Sequence, residues 1–276
     1  MSRKLQVPWT AMLAVVILLT PNVASAQSIP QTMAATGDSI TRAYNTGWFP
    51  YVDFPAASWS TGSDTRVQSH RLRLQALSSR TVSAYNDARS GAKMADLAGQ
   101  MQAAVSQNAQ YVTVLMGGND VCTSSEATMT TVAAFTAQFS AAMETITTGS
   151  PNAVVYVVSI PNIHQLWKIY KDSWLARSVW TSARICQSML ANPGSTAQAD
   201  VARRARVSQR NQDFNAALEA VCDAYRQCHF DGYAVYNFMF ARSDVTTRDY
   251  FHPSVSGQAK LADVTWRAGP YSGQSN

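Results

Sequence analysis

Five short apolar runs punctuate this chain, at residues 31–36, 81–85, 111–116, 153–160 and 233–238. Between them, apolar residues return every three or four positions. The third and fourth runs, YVTVLM and AVVYVVSI, are almost continuously apolar, as strands covered on both faces are. Helical patterns at 69–77, 94–105, 131–147 and 201–225 precede the second to fifth runs, and a last helix is expected over 254–266. Strands alternating with helices predict an α/β fold with a parallel sheet between helical layers. Residues 45–65 and 161–200 are rich in aromatic side chains, hold no clear run and are expected to be long irregular segments.

The beginning of the chain follows another pattern. Arg3 and Lys4 precede the apolar stretch AMLAVVILL, and Ala24-Ser25-Ala26 offers small residues for a signal peptidase. The stretch is too short for a bilayer, which takes about 20 residues. A cleaved leader over 1–26 is therefore expected, with a single domain over 27–276, secretion and no stable membrane insertion. The net charge of +5 falls by two when Arg3 and Lys4 are lost. The densest basic cluster, Arg203, Arg204 and Arg206, carries no interleaved aromatic residue, so it reads as a solvated helix face and nucleic acid is not expected as a partner. Four cysteines in an exported chain suggest two disulfides out of three possible pairings. Cys222 and Cys228 are close in sequence and are expected to pair, which leaves Cys122 with Cys186. No Cys-x-x-Cys pair exists and His229 has no partner at ligand spacing, so no metal is expected.

Candidate chemistry gathers after the strands. Gly37-Asp38-Ser39 follows the first, and a helix is expected to start there. Taken alone, Ser39 reads as a helix cap. Gly91 follows the second strand and Gly117-Gly118-Asn119-Asp120 the third; each alone would be a turn. Asp249 stands three residues before His252, after the fifth strand. Among the four histidines only His252 has an acid at that spacing on its N-terminal side. On a tight turn the carboxylate can accept the Nδ1 proton and leave Nε2 as a base. Parallel sheets bind ligands at the carboxyl ends of their strands, so all four motifs should meet on one rim. Together they supply a nucleophile, a base, an orienting acid and oxyanion donors.

In order and spacing, GDS, the glycine after the second strand, GGND and D-x-x-H resemble the signature blocks of the GDSL/SGNH hydrolases over residues 36–252. The usual leucine after GDS is Ile40 here. The rival G-x-S-x-G signature is absent, because Thr41 stands where its second glycine would be. The resemblance implies a three-layer α/β/α sandwich with a flavodoxin-like, five-stranded parallel sheet. It implies Ser39, His252 and Asp249 as a catalytic triad, and Ser39, Gly91 and Asn119 as oxyanion donors. No cofactor is implied. The expected substrate is a small-molecule, lipid or acylated-carbohydrate ester, hydrolysed through an acyl-enzyme by a monomer. The aromatic residues of 45–65 and 161–200 could wall an acyl pocket or stack on sugar rings. An acetyl-polysaccharide esterase and an exported binding protein without turnover are the alternatives.

Overall fold

The computed structural model describes Met1, Ser2, Lys4 and residues 28–274; the rest of the expected leader lies outside the described residues. Five parallel strands, β1 (Thr32–Gly37), β2 (Ser83–Asn86), β3 (Tyr111–Leu115), β4 (Val154–Val157) and β5 (Cys228–Phe230), form one sheet in the order β2-β1-β3-β4-β5. Every residue of β3 is buried, while β2 and β5 at the edges are partly exposed. The continuity of the apolar runs thus tracks position in the sheet.

The helices are α1 (His70–Ser78), α2 (Leu97–Ser106), α3 (Gly118–Val121), α4 (Val132–Gly149), α5 (Ile163–Tyr170), α6 (Trp174–Ser182), α7 (Gln187–Leu190), α8 (Gln198–Cys222), α9 (Ala234–Asn237) and α10 (Val255–Ala268). Alternation along β3 divides the core into two layers. Val112 and Val114 pack with Met101 of α2, Phe139 of α4 and Leu218 of α8. Tyr111 and Leu115 pack on the other side with Leu74 of α1 and Leu261 of α10. The Phe135 and Phe214 rings stack 4.0 Å apart and join α4 to α8.

Three expectations need correction. Residues 233–238 are not the fifth strand: they contain the single turn α9, and β5 lies earlier, at Cys228–Phe230. The Cys222–Cys228 disulfide holds the chain to the end of α8 as it enters the sheet. Gly232 and Tyr233 then both take positive φ, and the Asp231 carboxylate accepts the N–H groups of Tyr233 and Val235, so an extended run cannot continue. Residues 161–200 are not irregular either. Asn162 and Ser173 cap α5 and α6 by accepting the Gln165 and Ala176 N–H groups, and the Cys122–Cys186 disulfide fixes the entry to α7. Finally, Arg203, Arg204 and Arg206 do not share one solvated face: Arg206 is exposed, Arg203 is half-buried and Arg204 is buried. Arg203 donates to the carbonyls of Ser188 and Ala191, Arg204 donates to Ser195 and lies over Trp167 at 4.5 Å, and Arg206 pairs with Glu126. They fasten neighbouring segments to α8. Among the described residues, no helix is long and apolar enough to cross a membrane.

Candidate active site

In a sheet of order 2-1-3-4-5, the connections leaving β1 and β3 diverge and open a crevice between their carboxyl ends. Ser39 stands two residues past β1, and Gly117 to Asn119 come just past β3. The expected helix after Ser39 is instead a succession of turns, closed by Arg42 N–H to Asp38 O and Tyr44 N–H to Ser39 O. Asp38 is fully enclosed beside Ser39, accepts the Ile40 N–H at 2.9 Å, and is pushed up to about 6 by burial. The β3 turn needs Gly117, whose φ is +120° and whose Cβ, if present, would lie 2.5 Å from Ile160. It also fixes Asn119: one amide hydrogen goes to the Ala92 carbonyl at 2.9 Å, which leaves the second for a ligand. Asp120 holds the turn in place by accepting Met94 N–H at 2.8 Å and Thr130 Oγ1 at 2.7 Å. Gly91 adopts φ +85°, with open space where a Cβ would be.

Asp249 and His252 do not follow the fifth strand directly. They sit on a separate loop whose ends meet at an antiparallel bridge between Val245 and Pro253, with Thr246 N–H donating to His252 O at 2.9 Å. Trp180 of α6 props this loop by donating to Tyr250 O at 3.0 Å. Within it, Asp249 Oδ1 accepts the N–H groups of Phe251 and His252, at 2.8 and 3.0 Å. Its Oδ2 lies 2.8 Å from His252 Nδ1. An ionised carboxylate can only accept, so Nδ1 carries the proton and Nε2 presents its lone pair to Ser39 Oγ, also at 2.8 Å. Burial raises the Asp249 pKa, but the hydrogen bond and charge of His252 and the two backbone donors prevail and hold it below the ordinary carboxylate value. The Tyr44 and Phe251 rings flank the imidazole at 4.9 and 5.1 Å.

Ser39 is 8 % exposed and borders two cavities that share its side chain. Apolar residues line one, including Ile160, Ile163, Leu166, Ile169 and Phe240. His252, Gly91, Tyr44, Tyr51 and the Cys122–Cys186 disulfide line the other, and Asn119 stands at both. Among the described residues, no group of three or more His, Cys, Asp or Glu side chains could hold a metal ion.

The model of the GDSL-like lipase/acylhydrolase family matches residues 33–265. The chain belongs to that family. No curated protein matches its sequence. In fold, this GDSL-like chain is similar to an extracellular lipase from Streptomyces rimosus, with a TM-score of 0.52 and 17 % identity over 87 % of this chain and 100 % of the other. It is similar to a family 3 carbohydrate esterase from Clostridium thermocellum, with a TM-score of 0.51 and 15 % identity over 86 % of this chain and 93 % of the other. It is also similar to a psychrotrophic esterase from Pseudoalteromonas sp., with a TM-score of 0.50 and 13 % identity over 86 % and 96 %.

Few aromatic side chains of 45–65 and 161–200 reach the cavities of this GDSL-like chain. Trp48, Phe49 and Tyr51 are 90, 75 and 65 % exposed, and only Tyr51 of the three reaches a cavity. Trp180 is fully buried and Trp167 packs under Arg204. Aliphatic side chains of α5 line the apolar cavity instead. The sequence reading also missed Asn45, Tyr44 and Arg248, which surround the Asp249–His252 pair. The Asn45 side chain donates to Asp249 Oδ2 at 2.5 Å, and Arg248 donates to the carbonyls of Asn45, Trp48 and Phe49. No motif spacing announces them.

Proposed function

We propose that the chain is an exported serine ester hydrolase that cleaves carboxylic esters with an apolar acyl group. The hydrogen-bonded chain from Ser39 Oγ through His252 to Asp249 carries this reading. Ser39 Oγ attacks the ester carbonyl while His252 Nε2 takes its proton, and Asp249 holds the imidazole and stabilises its charged form. The tetrahedral oxyanion is met by the Ser39 and Gly91 N–H groups and the second amide hydrogen of Asn119. The leaving alcohol takes its proton from His252, so it departs through the cavity that His252 lines. The acyl group then occupies the opposite, aliphatic cavity. Water enters next, His252 takes a proton from it, and the acid is released. No step calls for a cofactor or metal.

Two disulfides suit an oxidising compartment, in keeping with a leader over 1–26. A second reading, an acetyl-polysaccharide esterase, has one observation in its favour: exposed Tyr51 lines the His252 cavity, and Trp48 and Phe49, also exposed, stand three and two residues before it, where rings can stack on sugars. The test is hydrolysis of p-nitrophenyl esters from acetate to palmitate beside acetylated xylan, with wild type and Ser39→Ala, in the presence of EDTA. Wild type should be most active on an ester longer than acetate and should label with a fluorophosphonate. Ser39→Ala should do neither. Wild-type rates in Ser39→Ala would refute the proposed nucleophile. Labelling or turnover absent from the wild type would favour a binding protein.

A further inference from the structure

Each oxygen of the Asp249 carboxylate has two donors. Those of Oδ1 are backbone N–H groups of its own loop. Those of Oδ2 are the His252 ring and the side chain of Asn45, which lies 204 positions away. The orientation of the Asn45 amide is not arbitrary. Its Oδ1 accepts the Tyr51 N–H at 2.5 Å, and a carboxylate can only accept, so Nδ2 must face Asp249. The residue is itself anchored. Its N–H donates to Val52 O at 3.0 Å, its carbonyl accepts from Arg248 at 3.2 Å, it is 2 % exposed, and its φ is +66°, which suits asparagine. The seven-residue stretch that begins with Ser39 therefore touches all three members of the chain: Ser39 is one, the Tyr44 ring lies against His252, and Asn45 holds Asp249.

Resting on the proposed triad, we infer that Asn45 is a positioning residue for the reaction: it fixes the Asp249 carboxylate and draws part of its charge away from the His252 ring. A hydrogen-bond donor on Oδ2 disperses negative charge that would otherwise favour the imidazolium. Removing the donor concentrates that charge on the ring. The protonated ring becomes easier to form, and a higher pH is needed to generate the base. The titratable groups around the ring are Asp249, Asp38 behind Ser39, and Tyr44; the Arg248 guanidinium engages the loop carbonyls. Asp38, Tyr44 and Arg248 stay in every variant below, so differences between variants isolate Asn45.

Asn45→Gly keeps the positive φ and deletes the amide. Asn45→Asp keeps an acceptor for the Tyr51 N–H and sets a second carboxylate against Asp249. Asn45→Gly should lower kcat about 10- to 100-fold, the loss expected for one hydrogen bond to a charged group, with KM changed less than about twofold. The acid limb of its kcat/KM profile should move to higher pH, and that of Asn45→Asp further still. The proton NMR resonance of His252 Nδ1–H should move downfield or be lost to exchange in both variants, and this readout needs no turnover. A folded Asn45→Gly protein with wild-type kcat, acid limb and Nδ1–H resonance would overturn the inference. A general loss of folded enzyme would lower the rate and leave the limb in place, which also counts against it. Failure of the hydrolase reading would look different, as wild-type protein without esterase activity whose Nδ1–H resonance still responds to Asn45.

Discussion

Two histidines of this chain each make two side-chain hydrogen bonds, in settings that could hardly differ more. His70 is sealed between the sheet and α10, bonded to Tyr111 Oη at 2.9 Å and Thr265 Oγ1 at 2.8 Å and surrounded by the rings of Trp59, Tyr156 and Trp266. Burial pushes its pKa down to about 3, and the nearby Arg73 charge adds to that. His252 stands at the rim of the sheet, with a carboxylate on one nitrogen and a hydroxyl on the other. The number of partners does not separate the proposed base from a structural ring. An ionised partner and an open cavity do. His70 has neither, so it stays neutral and serves as a polar spacer in the core.

The comparison can be broken at either end. The largest effect is expected at the carboxylate. Asp249→Asn should lower kcat about 10,000-fold by favouring the wrong tautomer of His252, measured on a p-nitrophenyl ester with the thermal melt little changed. Next comes the proposed oxyanion donor, where Asn119→Ala should cost about 100- to 1,000-fold in kcat. The smallest effect on rate belongs to His70. His70→Leu should keep kcat within about twofold while costing about 1–3 kcal/mol of stability at neutral pH, because Tyr111 Oη loses its partner. Its pH dependence sharpens the contrast. The folded pKa of His70 is below the unfolded value of 6.5, so between about 6.5 and 3 the unfolded chain binds more protons and stability falls as the pH is lowered. Wild type should lose stability over that window, and His70→Leu should show a flatter profile by denaturant titration. A mutant as acid-sensitive as the wild type would remove His70 from the account.

Much of this architecture was legible because it depends on local pattern. The apolar runs of β3 and β4 are those of doubly covered strands, and Ser39, Gly91 and Asn119 lie within a few residues of strand ends, where a parallel sheet exposes its rim. Two failures share one cause. Residues 233–238 form a short apolar run of strand length, but two consecutive positive φ angles and the Asp231 carboxylate coil the chain. In 161–200 the caps at Asn162 and Ser173 were present, but the aromatic density concealed the helical period. Both outcomes turn on side-chain-to-backbone bonds, which periodicity does not encode. Asn45 and Arg248 escaped notice for a related reason. Their partners lie about 200 positions away, and nothing in the sequence around them carries the mark of that contact.

The bond between Cys122 and Cys186 spans 64 positions and forms part of the wall beside His252. It ties the turn that carries Asn119 to the end of the segment whose α5 faces the apolar cavity, so a reducing agent would reach the shape of the substrate channel without touching a reacting atom. Material produced in a cytosol that keeps thiols reduced should accordingly have a looser channel and poorer selectivity among esters than material with both disulfides formed, even where both preparations fold.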